Sequence, residues 1–144
     1  MLLGEYEQRL DEKNRLTIPA RLRDQFAGGV FLARGIERCL VAFTRDGWDA
    51  YTEEQVARLD PMSREGRMLM RHLFAGAALL EADKQGRIAL PTTFARYAEL
   101  QRDVVVVGIR DRLEIWDREA WARLAMEFEG GAEHAAERVA RESR

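Results

Sequence analysis

Asp11-Glu12-Lys13-Asn14-Arg15-Leu16-Thr17-Ile18-Pro19 returns as Asp83-Lys84-Gln85-Gly86-Arg87-Ile88-Ala89-Leu90-Pro91, at an offset of 72. The likeness runs on. Gly35-Ile36 followed by Leu40 recurs as Gly108-Ile109 followed by Leu113, and Phe43 and Trp48 recur as Trp116 and Trp121. The offset has become 73, so one inserted residue separates two collinear copies. Three matched segments in the same order mark a duplicated structural unit.

Each copy predicts the same elements. Glu5–Leu10 and Ala77–Ala82 read as a first strand, and Asp11–Asn14 and Asp83–Gly86 as the turn after it. Gly86 takes a positive φ freely, and Asn14 is the next best residue for that conformation. Arg15–Ile18 and Arg87–Leu90 alternate polar and apolar, as a returning strand does. Pro19 and Pro91 suit the first turn of a short helix, where a missing N–H costs nothing. Phe26 and Tyr97 close these helices. Val30–Ala33 is expected to pair with Leu40–Phe43, and Val104–Val107 with Arg112–Trp116, with Gly35 and Gly108 beginning the connections. Thr44 and Asp117 are placed to cap helices carrying Trp48 and Trp121. Asp60-Pro61 is expected to cap and open a further helix through Phe74, and Gly130-Gly131 to break the last one. The division is therefore 1–60, a connecting helix 61–74, 75–129, and a charged tail 130–144.

A unit of about 45 residues rarely sustains a core alone. The copies are therefore expected to pack about a pseudo-two-fold axis with interleaved strands, in an α+β fold. The whole chain has 144 residues and a formal net charge of −2, but the charge is segregated. Residues 9–23 carry Arg9, Lys13, Arg15, Arg21 and Arg23 against Asp11 and Glu12, while residues 111–144 carry nine acids against six arginines. Such a basic patch attracts phosphate whatever the total, because screening limits the reach of distant acids to about 10 Å.

Other classes are disfavoured. No apolar run approaches the roughly 18 residues of a membrane span, and Met1-Leu2-Leu3-Gly4-Glu5 turns acidic too soon for a signal peptide. One cysteine, Cys39, forms no internal disulfide, which fits a reducing cytoplasm. His72, His134 and one thiol make no metal cluster, so no metal and no cofactor are expected. Neither serine, Ser63 or Ser143, sits in a nucleophile elbow, and no Gly-rich phosphate loop occurs, so an enzyme, a small hydrolase for instance, is not expected.

The repeated Asp-x-x-x-Arg is compatible with a turn lock alone: Asp11 and Asp83 accept backbone N–H bonds and pair with Arg15 and Arg87. The basic residues argue for more. The chain has 21 arginines and two lysines, and both lysines, Lys13 and Lys84, lie inside the motifs. Arg suits bidentate bonding to guanine and Lys meets phosphate as a point charge. Asp would hold the Arg fork in place, and Arg21 and Arg23 would widen the phosphate-contacting patch.

The motif Asp11–Ala20, the opening Gly4-Glu5-Tyr6-Glu7 and the second motif Asp83–Pro91 resemble the MraZ family over residues 1–128. That resemblance implies two SpoVT-AbrB-type swapped-hairpin domains of double-split β-barrel type in one chain. It implies a transcriptional regulator of the division and cell-wall operon that binds direct repeats of double-stranded promoter DNA as a ring of subunits, cytoplasmic and nucleoid-associated. Lys13 and Arg15 of the first motif and Lys84 and Arg87 of the second are the positions carried over, and Arg23 matches a basic position that AbrB-type domains use on DNA. Asn14 stands where the family usually has Gly. The rival reading is a ring scaffold or antitoxin-like interaction module that binds no nucleic acid.

The remaining conspicuous residues have plain readings. Trp48, Trp116 and Trp121 are core or interface residues. Met68, Leu69, Met70, Leu73 and Phe74 make a helix apolar over a wide arc, which suits a subunit contact, with His72 at its polar edge. Cys39 takes a small apolar position, and Glu53-Glu54 lie on a solvated helix face.

Overall fold

The computed structural model describes residues 1–143. In chain order the elements are β1 (Leu2–Arg9), β2 (Arg15–Thr17), a 3₁₀-helix (Ala20–Phe26), β3 (Val30–Arg34), β4 (Leu40–Phe43), α1 (Arg45–Arg58) and α2 (Arg64–Ala75). The second copy follows with β5 (Ala77–Leu80), β6 (Arg87–Ala89), α3 (Thr92–Tyr97), β7 (Asp103–Arg110), β8 (Arg112–Asp117) and α4 (Arg118–Glu142).

The eight strands form two antiparallel sheets that mix the copies. The larger has the order β1-β7-β8-β4-β3-β5, and the smaller is the pair β2-β6. The order is unchanged when the copies are exchanged, so a pseudo-two-fold axis passes between β4 and β8 in one sheet and between β2 and β6 in the other. The β3–β4 and β7–β8 hairpins form as expected. The first strands do not fold back on their own copies. β1 pairs with β7 from Leu2↔Arg110 to Arg9↔Asp103, and β5 pairs with β3 from Ala77↔Ala33 to Leu80↔Val30. The turn after each first strand therefore leads into the other sheet, and β2 finds its partner in β6. Alternation specifies which face a residue buries, not which strand lies beside it.

Period-two alternation divides the core between the faces of the large sheet. Val104 and Val106 join Leu16, Ile18, Phe26, Ile88 and Phe94 beneath the β2–β6 pair. Val105 and Val107 face the other way, joining Val41, Phe43, Trp116 and Trp121 under α1 and α4. Trp116 and Trp121 are buried and Trp48 is half-buried, stacked on Phe31 at 5.8 Å. Cys39 is buried, and that burial pushes its thiol up to about 12.

Thr44 caps α1 by accepting from the Gly47 amide at 3.1 Å, and Asp117 caps α4 by accepting from Glu119 and Ala120. Three expectations are corrected. Asp60-Pro61 does not open α2: the Asp60 side chain accepts the Met62 amide in a tight turn, and Ser63 is the cap, accepting from Gly66 at 2.9 Å. Strand β7 runs through Gly108 instead of ending there, because Gly108 lets the β1 backbone at Leu2 and Leu3 pass closer than any side chain would permit. Helix α4 continues through Gly130-Gly131. Two glycines cost about 1 kcal/mol each, which the surrounding Ala, Glu and Arg, all good helix formers, offset.

Candidate nucleic-acid interface

Each turn is built by its aspartate. Asp11 Oδ1 accepts the amides of Lys13 (2.9 Å) and Arg15 (2.8 Å), while Oδ2 accepts Arg15 Nε at 2.6 Å. Asp83 repeats the pattern with Gln85 (2.9 Å), Arg87 (2.9 Å) and Arg87 Nε (2.8 Å). Asn14 and Gly86 supply the required positive φ, 55° and 77°. Their carbonyls then tie each turn to the other copy: Leu90 N donates to Asn14 O at 3.0 Å, and Ile18 N donates to Gly86 O at 2.8 Å. With Leu16 opposite Ile88, the turns flank the two-stranded ladder. Arg87 Nη1 also lies 4.0 Å from Asp11 Oδ2, so the charged pairs of the two turns form one chain.

Both guanidinium groups reach solvent, with side-chain exposures of 30% for Arg15 and 29% for Arg87. Each uses its Nε on Asp and keeps terminal nitrogens for a further partner. Lys13, Lys84 and Arg21 are exposed. Arg23 is different: it is half-buried, donates Nε to Ile18 O at 2.9 Å, and lies over Gly86 of the second turn. It props the opposite copy's turn, which leaves only its outer nitrogens for another partner. The lysines are not equivalent. Lys13 N and Gln85 N make the same bond to their aspartates, so Gln85 is the counterpart of Lys13, and Lys84 stands opposite Glu12.

Gly86 is doubly constrained, because an added Cβ would meet Arg23 Nε and because its φ is left-handed. Gly86→Ala is expected to cost about 1–2 kcal/mol of stability, seen as a lower denaturant midpoint. Gly86→Asn, which copies the tolerated Asn14, should cost less.

The Arg15 amide, then the Arg15 guanidinium and the Lys13 amide, hold the Asp11 carboxyl below the ordinary carboxylate range; the Arg87 amide and guanidinium and the Gln85 amide do the same for Asp83. A group with a lowered folded pKa stabilises the protein above its unfolded value, about 3.9, and that stability is lost as pH falls through the lowered value. A thermal-stability profile should therefore fall below about pH 4, and Asp11→Asn with Asp83→Asn should flatten that limb.

Two further cations share this surface. Arg9 and Arg102, which the motif pattern passed over as contacts, line the groove beside Asp11 together with Lys13, Arg15 and Arg87. Leu10 N donates to Arg102 O at 2.8 Å, which brings the second copy's Arg102 beside the end of β1. Only the β1–β7 register places it there, and that register is not written in either strand. Among the described residues no group of three or more His, Cys, Asp or Glu side chains could hold a metal, and no helix is long and apolar enough to cross a membrane.

The two copies coincide with a doubled family match: the family described as "MraZ protein, putative antitoxin-like" matches residues 1–72 and again 73–142. The chain belongs to the MraZ family. A relative named "Transcriptional regulator MraZ", from Roseiflexus castenholzii, is 41% identical over 140 residues, covering 97% of each chain. For this MraZ-family chain, the repeats are thus two family units whose motifs converge on one basic surface.

Proposed function

We propose that this MraZ-family protein is a transcriptional regulator that binds double-stranded promoter DNA in a sequence-specific way through its two turns. The carrying observation is that Arg15 and Arg87 are oriented by aspartate yet still open to solvent, side by side on one surface with exposed Lys13 and Lys84. A guanidinium held by a carboxylate is already aligned for the paired acceptors of guanine in the major groove. Arg21 adds phosphate contact. The relative's name supports the regulatory role. The doubled family match supports AbrB-type swapped hairpins, which is how we read the exchanged strands. In this reading residues 1–60 and 75–129 carry the contact turns, 61–74 connects them, and 130–144 is an accessory tail.

The site of action is the direct repeats before the division and cell-wall operon, engaged by a ring of subunits in the cytoplasm and at the nucleoid. Several subunits on successive repeats gain through effective concentration what one chain lacks in contacts. Met68, Leu69 and Phe74 on α2, exposed in the single chain, are the proposed subunit contact. A gel shift with upstream repeat DNA tests the reading: a specific, salt-sensitive complex supports it, and binding with a salt slope near zero refutes it. An antitoxin-like interaction module, which the family description favours, would form its complex with a protein and leave the DNA unshifted.

A further inference from the structure

The pseudo-two-fold axis relates the turns in backbone but not in charge. Beside the first turn, Arg9, Lys13, Arg15, Arg87 and Arg102 face Asp11 and Glu12. Arg9 and Arg102 make no ion pair within 4 Å among the described residues, although Asp103 stands opposite Arg9 in the ladder and Arg102 also borders Asp103, Asp117 and Glu119 on its far side. Both are exposed. The second turn has no counterpart to either. By offset, Arg9 becomes Glu81. By register, Gln8↔Val104 corresponds to Leu80↔Val30, an offset of 74 along this strand where the sequence match suggests 73, so Asp103 becomes Gly29 and Arg102 becomes Gly28. The groove there sets Arg23 and Lys84 against Glu81 and Asp83, with Gly28 and Gly29 as its wall. With Arg87 counted beside its own partner Asp83, the first groove carries a surplus of two positive charges and the second a surplus of one, and the difference lies in Arg9 and Arg102.

We propose that Arg9 and Arg102 clamp the phosphates of duplex DNA beside the first turn only, so that the chain docks in one orientation. This rests on the DNA-binding reading above. A symmetric pair of turns would lie on a duplex equally well either way round. An uneven phosphate grip removes that degeneracy, because each missing cation forfeits a counterion release. The clamp is composite, with Arg9 from the end of β1 and Arg102 from the approach to β7, held together by the Leu10–Arg102 backbone bond. Phosphate contacts fix register and orientation, and the turn arginines then read the bases.

The test measures duplex affinity against salt for the full chain, Arg15→Ala, and the double variant Arg9→Gln with Arg102→Gln. Two lost phosphate contacts lower the log–log slope by about 2 per bound chain, equivalent to about thirtyfold weaker binding at 0.15 M salt. Orientation is read with a DNA-cleaving reagent on Glu12→Cys, since the chain's own Cys39 is buried. Cleavage is expected at one boundary of each repeat. Glu81→Arg with Gly28→Arg, the latter at a position where an added Cβ meets nothing, should introduce cleavage at the second boundary as well. A parental slope in the double variant, or two-ended cleavage by the parent fold, overturns the clamp. If Arg15→Ala still abolishes binding, the DNA reading survives that loss. A chain with no salt-dependent duplex binding removes both.

Discussion

Arg15→Ala is expected to weaken binding to upstream repeat DNA by about 1–3 kcal/mol per bound chain, the range for losing one bidentate base contact. In the proposed ring, where subunits would engage successive repeats together, the losses accumulate, and the shifted band should vanish at concentrations that saturate the parent. Folding should barely respond. The Arg15–Asp11 pair is part-exposed, and such pairs contribute little to stability because water screens them. The turn keeps the Asp11 bonds to the Lys13 and Arg15 amides, which alanine preserves. Unchanged binding would show that Arg15 is a turn lock and nothing more. Arg15→Lys should fail nearly as badly, since a point charge cannot reproduce the fork.

Ile88→Ala is expected to produce the largest stability loss. Ile88 is 1% exposed and lies opposite Leu16, 2% exposed, in the ladder that joins the copies. Truncating a buried isoleucine costs about 2–5 kcal/mol, a large share of the 5–15 kcal/mol typical of a domain. A fall in Tm of about 10 °C is the corresponding shift at this size. The void would open directly beneath the two turns, so DNA affinity should fall with stability. Ile88→Val, at about 0.5–1.5 kcal/mol, should keep binding while lowering Tm only slightly. A Tm near the parental value for Ile88→Ala would mean that the ladder closes over the void at little cost.

The doubled sentence Asp11–Pro19 and Asp83–Pro91 disclosed the repeat, the turns and the residues they expose, because turn chemistry is local: one aspartate, one left-handed residue and one arginine within five positions. Thr44 and Asp117 were readable for the same reason. What sequence hid was non-local. The parting of β1 from β2 depends on β7 and β6 offering better partners, and alternation is blind to partner choice. Arg102 reaches the first turn only through the Arg9↔Asp103 register. Sequence places Arg23 beside the first motif as a contact residue, whereas the tertiary fold carries it onto Gly86. Asp60 and Ser63 are both good capping residues, so sequence alone places the cap of α2 three residues early, whereas Ser63 takes it by accepting the Gly66 amide.

The exchanged strands also bear on how such a chain could arise and change. A polypeptide holding a single copy would have an orphan first strand and an orphan ladder strand, and two such polypeptides could satisfy each other in the same architecture. Joining them end to end converts a concentration-dependent association into an internal one. It also frees the halves to mutate separately, since an identical pair must accept every substitution twice. The contrast between Arg9 and Glu81 is a difference that only the fused form can hold.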